Sequence, residues 1–582
     1  MKKKWTVWLL ILAMAVTLLS GCGETGTSAS AAASAVSEAS AVVETPEDPP
    51  EEAPAKEPPA EEPSGLEESM VEEPVEAEPE FVPSEPLTYP LADGDVSFTI
   101  LHAEPQLGPM SSFMPMTSYG DFETIAAGTE YIGVIPEWNS LSQMTADTQF
   151  NLIVASGDYP DVMCGIDKYY AGGFMKAYEE EVIITLDDYI AECMPTYWNL
   201  IHEDEKLIKA VTADDGSYMA WYSIFDKTAV NTGYFIRKDW CDLVGVDIPE
   251  SIDDMNEFAY AIQSELNLES VLLMGEGLDT LSSAWGIGSG VASGSGFAYH
   301  REGDVLVADI SSERYENYVR QLAQWYADGI VSRNFTELDT SNMTGTMEAE
   351  LAANRTAIAN TMVNSMDNLK NDDPNFEMVA MVCTVDGGND HQGQGERQFD
   401  SCSISTACDE ELIPYIMGWM DYWYTEEGAM AGSYGVLGKD YQVNDDGSIT
   451  YLEIITENEY GFPPMLFSRA RCFSGASFGL MYEDRTVPFF TEKQTAAIET
   501  WTSRTDDLEE VPQTLGLNSE ESDVVALYAT DLATYISEEV PKFVTGDRSL
   551  DTWDDFVAEC EAMHVEELLA AYQAAYDRYL EK

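Results

Sequence analysis

The sequence has little positive charge for its length. Its 582 residues include 28 Lys and Arg against 106 Asp and Glu, which gives a formal net charge of −78. Nucleic acid binds to basic surfaces by counterion release, so we expect no nucleic-acid partner. The same argument favours neutral over acidic polysaccharides as partners. A local Arg or Lys, however, overrides the electrostatic field of the net charge.

Motifs for metal binding and for several catalytic classes are absent as well. The 5 His are dispersed, and there is no C-x-x-C, H-E-x-x-H, P-loop or G-x-S-x-G pattern. Carboxylates are too abundant for spacing to single out an acid/base pair. Residues 386–390 (DGGND) make either a calcium loop or a solvated turn, and they lack the EF-hand pattern. We therefore predict no cofactor, no metal site and no catalytic residue.

The cysteines do not form a recognisable disulfide framework. There are 9 Cys, and their spacing is scattered. Buried free thiols are the favoured interpretation for those of the folded part. Cys402 and Cys408 are close in sequence, and a disulfide between them is the alternative.

A hydrophobic run is present at the N-terminus, with no second one long enough to span a membrane. Residues 2–4 are Lys, residues 5–19 are uncharged and apolar, and Leu19-Ser20-Gly21-Cys22 closes the run. This arrangement is that of a signal peptide, and its end resembles the lipobox of bacterial lipoproteins. The resemblance implies that Cys22 becomes a lipidated N-terminus carrying acyl chains such as palmitate. An ordinary secretory signal with an incidental Cys is the alternative.

The next segment, residues 23–93, is rich first in Ser and Ala and then in Pro and Glu. It lacks the apolar residues for a core, so we predict a disordered tether that extends on the order of 200 Å in polyproline II geometry. Residues 94–582 have enough apolar residues for a sizeable core in two or more lobes.

Hydrophobic periodicity in the folded part alternates between strands and helices. Residues 96–102 alternate as a strand, and residues 138–155 lead into an amphipathic helix with Met144, Thr148 and Leu152 on one face. The helix ends at residues 156–160 (SGDYP), and a buried strand follows. This alternation predicts an α/β fold.

Several short segments, in order, resemble the extracellular solute-binding proteins of ABC importers, in the oligosaccharide-binding, LplA-like group. They are FNLIVASGDYPDV (150–162), DGSY (215–218), YFIRKDW (234–240), WYTEEG (423–428), SYGVLG (433–438), SLDTWDDF (549–556) and YQAAYDRY (572–579). Two departures are Ile252, where the family usually has Trp, and Leu437, where it has Glu.

The resemblance implies a type II periplasmic-binding-protein-like fold of two lobes joined by a hinge. We place the first lobe at about 94–224 and 378–425, and the second at about 225–377 and 426–582. A solute held in the cleft between them is delivered to permease subunits, and the protein itself is not an enzyme. We expect a monomer, lipid-anchored on the outer face of the cytoplasmic membrane.

A sugar presents C–H faces and hydroxyl groups, so its cleft needs aromatic platforms and hydrogen-bonding side chains. Each candidate aromatic is alternatively a core residue, and Arg397 and Asp400 alternatively pair with each other. The candidate ligand-binding residues are Trp138, Tyr169, Tyr170, Trp221, Tyr222, Trp285, Arg397, Asp400 and Tyr434.

Other functions stay open on the sequence alone. A receptor for a peptide or another organic solute would use the same fold. A surface glycoside hydrolase would also be rich in carboxylates and aromatic residues. An adhesin or sensor would depend on the tether more than on a pocket. Hydrolysed product distinguishes the enzyme from a binding protein, which returns its ligand intact.

Overall fold

The computed structural model describes residues 84–170, 172–213, 215–228, 230–275, 277–287, 298–335, 338, 343–369, 371–387, 396–473, 476–504, 511–512 and 515–582. Cys22, the signal peptide, most of the predicted tether and most of the candidate calcium loop lie outside these residues. Within them, no helix combines the length and the apolar character needed to cross a membrane.

The strands of the described chain are β1 (Val96–Ala103), β2 (Val134–Leu141), β3 (Val162–Cys164), β4 (Trp221–Phe225), β5 (Thr232–Arg237), β6 (Tyr299–Glu302), β7 (Val305–Ala308), β8 (Ile358–Met362), β9 (Met378–Met381), β10 (Gln398–Ile404), β11 (Tyr441–Val443), β12 (Ile449–Tyr451) and β13 (Leu480–Met481). The helices are α1 (Glu123–Ile132), α2 (Ala146–Ser156), α3 (Ile166–Tyr169), α4 (Gly173–Glu179), α5 (Ile190–Cys193), α6 (Pro195–Ile201), α7 (Glu205–Val211), α8 (Lys238–Val244), α9 (Ile252–Leu266), α10 (Glu313–Asp328), α11 (Met343–Ala352), α12 (Ser365–Asn368), α13 (Ile413–Asp421), α14 (Glu426–Tyr434), α15 (Glu453–Thr456), α16 (Pro464–Ser468), α17 (Glu492–Thr502), α18 (Ser519–Thr545), α19 (Trp553–Glu561) and α20 (Val565–Glu581).

The first lobe is built on a six-stranded sheet in the order β13-β4-β10-β3-β1-β2. Strand β10 is antiparallel to β3 and β4, and the other neighbours in this sheet are parallel. Helices pack on the sheet around an aromatic core that includes Trp221, Trp419 and Trp423. The predicted α/β character is confirmed in this lobe.

The second lobe has a three-stranded sheet in the order β8-β5-β9, surrounded by helices α8 to α11 and α17 to α20. Helix α9 shows how the sequence specifies its elements. The Ser251 hydroxyl accepts the Asp254 N–H at 3.2 Å and caps the first turn, and Asn267 ends the helix in the left-handed conformation. Met255, Phe258 and Ile262, spaced at three and four residues, are buried.

The RKDW segment, which contributed to the family resemblance, is a structural feature of this second lobe. Arg237 is fully buried, and its Nε–H donates to Asp239 at 2.8 Å while Nη1–H donates to Asn354 at 2.6 Å. Its guanidinium lies 4.4 Å from the centre of the Trp240 ring. A buried cation requires such pairing. The motif therefore stabilises the fold of the second lobe and does not bind a ligand.

The boundaries between the lobes differ from those predicted. Strand β9 pairs with β5 and belongs to the second lobe, whereas residues 434–478 contribute to the core of the first lobe. The first lobe therefore comprises residues 84–225 and 398–489, and the second comprises 232–381 and 490–582. Sequence spacing does not show which sheet a short strand joins, because pairing is a long-range contact.

The folded domain also begins earlier than residue 94. Ser84 N–H donates to the Asn199 side chain at 2.8 Å, and the Asn199 amide donates back to Ser84 O at 2.9 Å. The Tyr89 ring packs edge-on against Tyr422 with centroids 5.3 Å apart. The last ten residues of the predicted tether therefore pack against the first lobe.

The face of helix α2 that carries Thr148 and Leu152 is exposed, and a different face is buried. Met144, just before the helix, is 93% exposed and Leu152 is 65% exposed, while Ala146 and Phe150 are buried. Phe150 contacts Tyr169 with ring centroids 5.4 Å apart. The large aromatic ring, rather than the Met-Leu stripe, determines which face packs inward.

The expectation of free thiols is wrong for two cysteines. Cys164 on β3 and Cys402 on β10 lie directly opposite each other in the antiparallel register and form a disulfide across 238 residues of chain. Cys408, the alternative partner of Cys402, is a free thiol. The other free thiols of the described chain are Cys193, Cys241, Cys383, Cys472 and Cys560.

Candidate ligand-binding site

A cavity of about 400 Å³ lies at one edge of the first-lobe sheet. Strands β1, β3, β4 and β13 all end at this edge, and the antiparallel β10 begins there. The carboxyl ends of parallel strands are where α/β sheets bind their ligands, since loops leave the sheet there and expose their side chains. The cavity is lined by His102, Ala103, Pro105, Gln106, Leu107, Tyr119, Phe122, Cys164, Gly165, Lys168, Tyr169, Phe225, Phe399, Asp400, Arg469, Ser477, Met481 and Arg485.

Aromatic side chains form much of this lining. Phe225 and Phe399 come from adjacent strands and stack with centroids 4.3 Å apart and an interplanar angle of 22°. Tyr119 is stacked on Phe122 at 5.5 Å. Such rings are flat apolar surfaces of the kind that cover the faces of an organic ligand.

Tyr169 reaches the cavity because a glycine precedes its helix. Gly165 has a φ of +89°, and a Cβ atom there would lie 2.8 Å from the Tyr169 ring. A glycine at this position therefore permits both the turn after β3 and the close approach of the ring. Tyr169 is half-buried. Of the aromatic residues that we predicted from the sequence to bind ligand, Tyr169 lines this cavity.

His102 lines the cavity as a fixed, neutral ring. Its Nε2 accepts the backbone N–H of Ser477 at 3.0 Å, so its Nδ1–H donates to Ala103 O at 2.8 Å. Burial lowers the pKa of His102 to about 4. With both nitrogens engaged and no charge at neutral pH, the ring does not act as a general acid or base here.

Asp400 occupies a bulge in β10. The register with β4 shifts between Phe399 and Ser401, and Asp400 has a φ of +40°. A β-bulge re-aims a side chain, and a non-glycine residue with positive φ carries backbone strain of a kind that is concentrated at binding sites. The Asp400 carboxylate accepts a hydrogen bond from the Lys168 ammonium across the cavity lining.

Arg397 does not pair with Asp400. Its Nε–H donates to Phe225 O at 2.9 Å and its Nη1–H donates to the Asp204 carboxylate at 2.9 Å. It therefore ties the return crossover to strand β4. This contact belongs to the hinge rather than to the cavity lining.

In the described part of the chain, the two lobes are joined by three crossovers, one between Phe225 and Thr232, one between Met381 and Gln398, and one between Phe489 and Glu492. Phe225 N–H donates to Arg397 O at 2.8 Å, and Asp226 N–H donates to Met481 O at 2.9 Å. Lys227 and Asp484 form an ion pair at 2.6 Å. These contacts hold the crossing segments side by side, which is the arrangement of a hinge with a few flexible positions.

A second cavity, of about 340 Å³, shares Phe399 and Asp400 with the first. Tyr222 lines it and packs edge-on against Phe174, with centroids 6.2 Å apart. The opposite side is formed by residues of the second lobe, including Leu515 and Tyr579. Asp400 therefore lies between a cavity of the first lobe and one that both lobes line.

The remaining predicted residues lie elsewhere. Trp138 is half-buried behind His102 and Tyr119, at centroid distances of 6.2 Å from each. Tyr170 donates its hydroxyl to Glu180 and lines neither cavity. Three others are core residues, because neighbouring rings cover them: Trp221 is 0% exposed, Trp285 is 7% exposed beside Tyr318 and Trp325, and Tyr434 is 5% exposed beside Tyr441 and Tyr451.

Sequence reasoning missed several lining residues. Lys168 directly precedes Tyr169, which we did predict. Its position just after strand β3 could therefore have identified Lys168 as a lining residue. Arg469 and Arg485 lie far along the chain, and no local pattern connects them to this edge of the sheet. Among the described residues, no group of three or more His, Cys, Asp or Glu side chains is arranged to hold a metal ion.

Comparison with known proteins finds distant relatives. No protein-family model matches the chain. Lipoprotein LipO of Bacillus subtilis (strain 168) is 23% identical over 328 residues, which cover 52% of this chain and 61% of LipO. The fructooligosaccharide ABC transporter substrate-binding protein FusA of Streptococcus pneumoniae serotype 4 is 20% identical over 482 residues, covering 77% of this chain and 85% of FusA.

Solved structures agree with these relatives. An extracellular solute-binding protein from Bifidobacterium longum subsp. infantis superposes with a TM-score of 0.65 at 13% identity, covering 84% of this chain and 99% of that one. FusA in complex with kestose superposes with a TM-score of 0.59 at 17% identity, covering 83% and 99%. The predicted two-lobed fold is confirmed by these matches.

Proposed function

We propose that this chain, which has the fold of the solute-binding proteins of ABC importers, captures an oligosaccharide in its interlobe cleft and delivers it to permease subunits. The observation that carries this proposal is the aromatic and charged cavity at the carboxyl edge of the first-lobe sheet. Stacking rings and ionised side chains at one site supply both kinds of contact that a sugar needs. FusA, a relative over most of its length, is named for fructooligosaccharide binding.

Transport requires a change of shape rather than a reaction. A ligand that contacts both lobes stabilises the closed arrangement more than the open one, so it shifts the population towards closure. We expect the change of backbone angles at the described residues that flank the crossovers, such as Asp226 and Arg397. The relatives are substrate-binding proteins, and the neutral His102 and the ion-paired Asp400 give no acid/base pair for hydrolysis.

The membrane anchor is the other half of the proposal. Two observations support a lipoprotein held on the outer face of the cytoplasmic membrane. They are the similarity to the lipoprotein LipO and the lipobox-like sequence that ends at Cys22. Acyl chains on Cys22 keep the protein in the membrane near its permease. The extended acidic tether lets the folded domain move away from the membrane surface. We propose that the protein acts as a monomer.

The test is a titration of the purified protein with a panel of oligosaccharides, followed by tryptophan fluorescence and thermal shift. We expect saturable binding of at least one oligosaccharide and a higher melting temperature, because a ligand that binds only the folded state stabilises it. Chromatography of the recovered ligand is expected to show it unchanged. No response across the panel, or release of shorter products, would contradict the proposal.

A further inference from the structure

The first cavity contains more positive charge than the composition of the chain leads one to expect. Lys and Arg number 28 against 106 acidic residues in the whole sequence. In the cavity lining the ratio is reversed, because Lys168, Arg469 and Arg485 accompany a single carboxylate, that of Asp400. The formal charge of the lining residues is therefore opposite in sign to the charge of the protein.

Two of these three cations already have carboxylate partners. Lys168 donates to Asp400, and Arg485 Nη1–H donates to the Glu483 carboxylate at 3.3 Å and to Tyr482 O at 3.0 Å. Arg469 is exposed, and no hydrogen bond or ion pair joins its guanidinium to another residue of the described chain. It is the cavity cation whose charge is not neutralised by a described neighbour.

A guanidinium of this kind selects for oxyanions. Arg stays protonated at all physiological pH values, and its planar set of donors binds a carboxylate or phosphate through two parallel hydrogen bonds. The Debye length at physiological ionic strength is about 8 Å, so distant surface carboxylates are largely screened from a ligand inside the cavity. The local cation then outweighs the global charge in determining which ligand binds.

We infer that the ligand of this cavity is an acidic oligosaccharide whose anionic group is bound by Arg469. The inference rests on the proposed function and specifies its substrate class. It reverses the preference for neutral sugars that the net charge suggested. Tyr169 and Phe399, which are half-buried at the cavity, then contact the sugar ring, while Arg469 binds the carboxylate, sulfate or phosphate that the ring carries.

The experiment compares acidic and neutral ligands of matched length on the full protein. The probes are oligogalacturonides, sulfated disaccharides, sugar phosphates, and neutral gluco- and fructo-oligosaccharides, each titrated by calorimetry at low and at physiological salt. We expect at least one acidic class to bind ten times more tightly than its neutral counterpart, with affinity falling as salt rises. The class that binds identifies the anionic group.

The variant Arg469→Gln is expected to reduce affinity for the acidic ligand at least tenfold, and to reduce affinity for a neutral ligand of the same length by a clearly smaller factor. Arg355→Gln is the matched control, because Arg355 lies on the second lobe, is 61% exposed and pairs with Glu350 away from both cavities. The control is expected to bind like the wild type.

Each contrary outcome is distinguishable. Binding of neutral ligands alone would overturn the acidic-ligand inference and leave the proposed function intact. Equal affinity of wild type and Arg469→Gln for an acidic ligand would overturn the role of Arg469. The absence of binding by any sugar would overturn the inference together with the proposed function.

Discussion

The two lobes differ in where several of their large aromatic residues lie. In the first lobe, Tyr119, Tyr169, Phe225 and Phe399 line a cavity at the strand ends. In the second lobe, large rings such as Trp285, Trp325 and Trp553 are buried in the helical core. Every residue that lines the first cavity belongs to the first lobe. We therefore propose that the first lobe holds the ligand before closure and that the second lobe covers it.

Capping and ion pairing connect the C-terminal helices of the second lobe. Helix α18 spans 27 residues, and its first turn is capped by the Asn518 side chain, which accepts the Glu521 N–H at 3.0 Å. Arg578 of helix α20 donates to the Glu521 carboxylate at 2.6 Å. We propose that these helices move as one body about the crossovers when the cleft closes.

The largest effect is expected from the disulfide, which only the first lobe has among the described residues. Replacing Cys164 and Cys402 by Ala frees a loop of 238 residues, so the first lobe should lose about 4 kcal/mol of stability. The matched control replaces Cys241 and Cys560, two buried free thiols of the second lobe, by Ala. Calorimetry is expected to show that the melting temperature of the first variant falls much more than that of the control. Equal shifts would contradict the difference between the lobes.

The next largest effect concerns ligand contact. Tyr169→Ala removes a ring from the cavity lining and should weaken oligosaccharide binding roughly a hundredfold, which is about 3 kcal/mol. Tyr260→Ala is the control, because Tyr260 is 39% exposed on the second lobe and donates to Asp328 at 2.7 Å. Titration calorimetry compares the two, and circular dichroism verifies that both variants are folded. A similar loss in both variants would remove the distinction between the lobes.

The smallest effect concerns pH and the core of the first lobe. Asp421 is fully buried, and burial raises the pKa of its carboxyl to about 6. The folded state therefore binds this proton more tightly than the unfolded state. The resulting stability is fully present below the ordinary pKa near 4 and is lost as pH rises through 6.

Asp421→Asn removes this titration and keeps an oxygen that accepts the Tyr197 N–H, which lies 2.9 Å from the carboxylate. Between pH 4 and pH 7 the wild type should lose on the order of 2 kcal/mol relative to the variant. Melting temperatures of both proteins across this range give the measurement. Parallel curves for the two proteins would show that Asp421 does not titrate as described.

These contrasts separate what sequence predicts well from what it does not. The order of elements around residues 150–162 was predicted correctly, since helix α2 ends before Gly157 and strand β3 begins at Val162. Such features depend on local signals, namely a glycine stop and a buried apolar run. The two-lobed fold followed from several such segments in order.

The site was harder to predict because it depends on pairing between distant segments. Trp221 and Tyr222 are adjacent on β4 and point to opposite faces of the sheet, so one is core and the other lines a cavity. The register of β10 likewise determines that Cys402 meets Cys164 and that Asp400 occupies a bulge. No local pattern encodes that register, so the assignment of individual site residues stays a prediction.

Hydrogen–deuterium exchange with and without the tightest-binding oligosaccharide tests the central claim most directly. Bound ligand is expected to slow exchange at the carboxyl ends of β1, β3 and β4, at the beginning of β10 and around Arg469, with smaller changes at the crossovers. Protection confined to the second lobe, with exchange at these strand ends unchanged, would contradict the assignment of the ligand-binding site to the first-lobe cavity.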